Sequence, residues 1–206
     1  MNTTQHDPFK DRREAAVPDH PVVDPEDWSA KAMAASDEWR IELNQNDIDD
    51  LHAAVAPFDQ EGIDVMPLGK EDFSLPCLAP KLALLRSELL YGRGFVLLHG
   101  LPVDAFGKRG SAIAFWAIGQ HLGEDVLSQN KRGHVLGHVT DLGESRSNPS
   151  QRGPYSREEI PFHVDCGDIV GLLSMEVSKS GGDSSLGSSI AVHNEMLKRR
   201  LDLVEV

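Results

Sequence analysis

Cysteine is nearly absent from this chain: Cys77 and Cys166 are the two in 206 residues. Two thiols cannot build a disulfide framework, and such sparing use fits a reducing compartment. Clustered positive charge is missing as well. There are 33 acidic side chains against 20 Lys and Arg, giving a formal net charge of −13, and no basic stripe runs through the sequence. Nucleic acid and anionic membrane surfaces are thereby excluded as main partners. Long hydrophobic runs are lacking too. Stretches such as Phe95–Leu98 are far too short to cross a bilayer, and polar Met1–Lys10 has no secretory apolar core. The expectation is a soluble, cytoplasmic protein. Internal repeats, a P-loop, a Rossmann glycine pattern and a Gly-x-Ser-x-Gly elbow are also wanting, which removes the common nucleotide-binding and hydrolase readings.

What is present is the composition of a globular protein, 40% hydrophobic with 18 Gly and 12 Pro. Its length suits one domain with a real core. Residues 1–43 read as an extended N-terminal arm. Pro18, Pro21 and Pro25 break any helix there, and Trp28 and Trp39 are the side chains to anchor it. From residue 44 onward regular structure is expected. Asn44 or Asn46 caps a helix with Ile48, Leu51 and Val55 on one face, ended by Pro57. Pro80 opens a second helix carrying Leu82, Leu85 and Leu89, stopped by Gly92 and Gly94. Phe95–Leu98 reads as a buried strand, and Ser111–Leu122 as a helix with Ile113, Trp116 and Ala117 on its apolar side. Val135–Leu142 and Ile169–Val177 read as strands. Ile190–Leu203 closes the chain as a helix with Val192, Met196 and Leu197 inward. Helices first and strands later is an α+β or mostly-β order with flanking helices, not a wound βαβ sheet.

The sharpest chemical signal is Ile160-Pro161-Phe162-His163-Val164-Asp165. On extended backbone, residues two apart point the same way, so His163 and Asp165 converge. One imidazole and one carboxylate make two-thirds of the facial triad that holds non-haem Fe(II). On residues alone the pair also reads as a polar strand end followed by a turn. Cys166, beside it, reads as a small buried thiol. Further on stand Ser180-Gly181-Gly182-Asp183-Ser184 and Val192-His193-Asn194-Glu195. Gln129 and Asn130 precede a strand, as pocket lining or as ordinary loop polarity.

This ordered series, with the upstream Gly92-Arg93-Gly94-Phe95-Val96-Leu97-Leu98-His99-Gly100 and His121-Leu122-Gly123, resembles the TauD/TfdA group of Fe(II)- and 2-oxoglutarate-dependent dioxygenases over residues 80–206. The resemblance implies a double-stranded β-helix, the jelly roll of the clavaminate synthase-like type, with 44–206 as its N-terminal part. It implies Fe(II) as metal, held by His163 and Asp165, and 2-oxoglutarate as cosubstrate, touched by the Ser184 hydroxyl. The implied reaction is oxidative decarboxylation of 2-oxoglutarate coupled to C–H oxidation of a small molecule by O2. The family's third ligand, a distal His, and its 2-oxoglutarate-pairing Arg fall much further along. The chain runs about forty residues past Asp165, so the expectation is a jelly roll incomplete at its C-terminus, a truncated dioxygenase without these two groups. The alternative is an inactive truncated relative serving as a binding or interaction module. His134, His138 and His193 are the other imidazoles to weigh as a third donor. The first two read as strand or pocket-wall residues, and His193 as a packing position. No feature points to a particular oligomeric state.

Overall fold

The computed structural model describes residues 17, 19–123, 135–141, 143 and 158–204. It separates into two compact units, one formed by Met1–Leu122 with Leu172–Val206 and the other by Gly123–Gly171.

The first unit is built on helices. α1, Ala30–Ala34, is little more than one turn, capped by the Ser29 hydroxyl. α2, Gln45–Val55, begins where the sequence places it: Asn44 accepts from the Asp47 N–H, and the Asp47 carboxylate accepts from the Asn44 N–H. This reciprocal box satisfies two N–H groups that a helix start leaves open. α3, Ala79–Tyr91, carries Pro80 in its first turn and ends at Gly92. The Asp50 carboxylate of α2 accepts the Cys77 and Leu78 N–H groups at 2.6 and 2.9 Å, so one helix caps the next. α4, Val103–Leu122, starts eight residues before the expected Ser111. Pro102 closes its first turn by accepting from Ala105 and Phe106. Gly107, at φ 65 and ψ −178, then bends the chain before the longer stretch resumes. That left-handed φ costs glycine little and any other residue more.

The core lies where α2, α3 and α4 meet. Leu51, Val55, Phe73, Leu75, Leu78, Leu82, Leu85, Ile113, Trp116 and Ala117 are all buried. The connection between α2 and α3 is stitched onto α4 by two side-chain donors. Trp116 Nε1 gives to the Leu68 carbonyl at 3.0 Å, and His121 Nε2 to the Phe73 carbonyl at 2.9 Å.

β1, Arg40–Glu42, and β2, Leu97–His99, pair in parallel with Arg40 opposite Leu97 and Glu42 opposite His99. The ladder continues at both ends through Leu97 N–H to the Trp39 carbonyl and Leu43 N–H to the His99 carbonyl. Trp28 and Trp39 do anchor the arm, flanking Phe95 with ring centroids at 5.1 and 6.1 Å.

Several expectations need correction. The strand at Phe95–Leu98 is shorter and later, and it is not buried, since Leu97 and His99 face solvent. Residues 135–141 and 169–177 form no strand. Apolar alternation supplies the pattern of a strand, but a strand also needs a neighbour to bond, and among the described residues these segments have none. The last helix, α5, is Ser189–Arg199, and Arg200 leaves helical geometry before a single 3-10 turn at Leu201–Leu203. Its buried residue is Asn194, whereas Val192 is exposed. The expected jelly roll is not found among the described residues, whose one sheet is the β1–β2 pair. No described helix is long and apolar enough to cross a membrane.

Candidate metal centre

His163 and Asp165 lie in the second unit. Pro161 fixes the local backbone and removes one N–H. Its carbonyl stands 2.9 Å from His163 Nδ1. A carbonyl only accepts, so Nδ1 is the donor in this contact, and the neutral tautomer compatible with it carries its lone pair on Nε2. That is the second-sphere contact by which metal-binding imidazoles are oriented. Nε2 in turn stands 3.9 Å from Asp165 Oδ1, and both side chains are 56% exposed.

This donor set can be tested against a divalent ion. Two adjacent ligands with bonds of about 2.1 Å stand about 3 Å apart. The observed pair must therefore close by roughly 1 Å, which rotation of two half-exposed side chains supplies. A neutral imidazole with its far nitrogen occupied and a carboxylate match what Fe(II) accepts. The residues fit as a two-donor part of such a site. Among the described residues no third His, Cys, Asp or Glu joins them.

The remaining candidates are distributed as follows. Ser184 is exposed on the loop that precedes α5 and belongs to the first unit. The turn before it is held by the Ser178 hydroxyl donating to the Gly181 carbonyl. Gln129, Asn130 and His134 lie outside the described residues. His138 is exposed and His193 half-buried in α5. Cys166 is exposed, not the buried thiol expected beside the metal, as is Cys77. His99 is paired at the surface, its Nδ1 2.7 Å from Glu42 Oε2, and this contact and then Arg40 hold the Glu42 carboxyl below its usual value. Sequence reasoning missed Asn194 and Ser188, both buried. The signal was available: Asn194 lies four residues after Ile190 and three before Leu197, so an amide interrupts an apolar stripe.

Residues 55–206 match the family described as taurine catabolism dioxygenase TauD, TfdA family. The chain belongs to the TauD/TfdA family, whose fold is the double-stranded β-helix. It is similar to a taurine hydroxylase-like protein, SAT17, of Stachybotrys chartarum, with 29% identity over 184 residues, covering 86% of this chain and 48% of that protein. It is also similar to FR-33289 synthase of Streptomyces rubellomurinus, with 25% identity over 185 residues, covering 89% of this chain and 54% of that enzyme. The chain thus spans about half the length of the curated relatives it matches.

Proposed function

We propose that this chain contributes the first two metal ligands of an Fe(II)- and 2-oxoglutarate-dependent dioxygenase that oxidises a C–H bond of a small molecule with O2. The observation that carries the reading is the His163–Asp165 pair within the family match, with the Pro161 carbonyl leaving His163 Nε2 free. Residues 44–206 then form the N-terminal part of the jelly-roll domain, and 1–43 its arm.

In this reading His163 gives its Nε2 lone pair, and the Asp165 carboxylate offsets the charge of the dication. The bound Fe(II) supplies a Lewis-acidic, redox-active centre for decarboxylation of 2-oxoglutarate and use of O2. The protein's share is orientation. The Pro161 carbonyl favours the His163 tautomer that offers Nε2 to the metal, and the Ser184 hydroxyl donates to a carboxylate of the cosubstrate.

The test is succinate formation by the whole protein supplied with Fe(II), ascorbate, 2-oxoglutarate and O2. Production abolished by His163→Ala is the expected result. Equal succinate from the wild type and His163→Ala sinks the assignment, and no succinate from either favours the binding-module alternative.

A further inference from the structure

The arm is tied to the last helix by side chains that imitate a neighbouring strand. Asn194, in α5 and 3% exposed, accepts the Val22 N–H at 2.8 Å through Oδ1. Its Nδ2 donates to the Val22 carbonyl at 2.8 Å and to Asp27 Oδ2 at 2.9 Å. Six residues earlier, buried Ser188 donates its hydroxyl to the Glu26 carbonyl. The same oxygen accepts the Ala191 N–H at 2.9 Å and so caps α5. The far end of this stretch is fixed separately, where Trp28 Nε1 donates to the Arg93 carbonyl at 2.9 Å beside Phe95. The arm from Val22 to Trp28 is therefore a strap bolted to α5 at one end and to the approach to β2 at the other.

A buried amide with three bonds made is costly to lose, because each partner left behind is an unpaired polar group. The loop that carries Ser184 ends at this anchored cap. Ser184 is four residues before Ser188, so chain length keeps it within about 14 Å of the α5 cap. A groove lined by Trp28, Ala32, Leu186, Gly187 and Val192 runs between strap and loop.

We propose that Asn194 and Ser188 are positioning residues. Through them the arm holds the 184–188 loop in place, and so presents the Ser184 hydroxyl to 2-oxoglutarate. This rests on the functional reading above. Asn194→Asp keeps the shape but turns a carboxylate toward the Val22 carbonyl and the Asp27 carboxylate, which should release the strap. Adding Asp27→Asn returns an amide to that contact. In the whole Fe(II)-loaded protein, two quantities are measured: amide hydrogen exchange across residues 19–28, and the 2-oxoglutarate dependence of succinate formation. Asn194→Asp should speed exchange and raise the KM for 2-oxoglutarate roughly tenfold, with kcat at saturation and Fe(II) affinity unchanged. The double variant should recover both in part, since the Val22 carbonyl still faces a carboxylate. Asp27→Ala, which removes one bond at an exposed residue, should move both in the same direction by less and serves if Asn194→Asp does not fold. Faster exchange with an unchanged KM overturns the proposal, as does unchanged exchange. A wild type that consumes no 2-oxoglutarate overturns the functional reading and the role of Ser184, while the exchange comparison still judges the clamp.

Discussion

Asp47 shows how much one side chain can carry. It is fully buried, its Oδ1 meets no partner among the described residues, and its Oδ2 is held by Lys81 Nζ at 2.5 Å and by the Asn44 N–H at 2.8 Å. A buried carboxylate is tolerated only while its counter-charge is present. Lys81→Met keeps the stem and deletes the charge, and should cost about 3 kcal/mol. The measurement is the urea midpoint at unchanged slope, and a shift worth under about 0.5 kcal/mol would show the pair to be idle. At the metal pair the contrast is between neighbours. Asp165→Ala removes an anionic donor, whereas Val164→Ala removes an exposed apolar side chain. Anaerobic Fe(II) titration should show at least a hundredfold weaker binding for the first, roughly the upper range for losing a second-sphere contact. The second should match the wild type, and equal loss in both would refute the site.

At the scale of the element, two features give further predictions. Gly107 sits at φ 65 with nothing within 4 Å of where a Cβ would stand. Gly107→Ala therefore meets no clash and pays backbone strain alone, about 1–3 kcal/mol; an unchanged thermal midpoint would mean that the kink is not needed. On β1, the Glu42 carboxyl is lowered from its usual 4.5, first by the His99 hydrogen bond and then by Arg40. A lowered carboxyl pKa adds stability above the unfolded value and loses it as pH falls through the folded one. Stability should therefore drop below about pH 4.5, and Glu42→Gln should flatten that limb of an acid titration. An identical titration in the variant would exclude the contribution. Helices were legible in the sequence because their signals are local: Asn44 and Asp47 lie three apart, and Pro80 and Gly92 bracket α3. β1 was hidden in the arm because its partner is Leu97–His99, and no local pattern in Arg40–Glu42 announces it. His163 and Asp165 were legible as a His-X-Asp motif three residues long. Asn194 was not read correctly, since its meaning depends on Val22 at the other end of the chain.

Across the whole molecule, apolar side chains remain in solvent within each unit. Phe162 is 78% and Val164 85% exposed in one, and Leu172 and Val177 are exposed in the other. Such surface favours association, and the net charge of −13 opposes it. The 206-residue chain alone should therefore self-associate increasingly as salt screens that charge, over the range in which the screening length falls from about 30 to 8 Å. Sedimentation across this range is the check. A single ideal monomer at every salt concentration would show that these side chains are covered in solution.

The bond between Val22 and Asn194 also has a timetable. Its partners are 172 residues apart in the chain. At 5–20 residues per second, Val22 leaves the ribosome roughly 10 to 30 s before Asn194 is made. Until Asn194 is made this bond cannot form, whereas α2, α3 and α4 are all synthesised by Leu122. The strap is thus made before these helices and fastened to α5 after them, and a protease or chaperone that acts on nascent chains meets it loose.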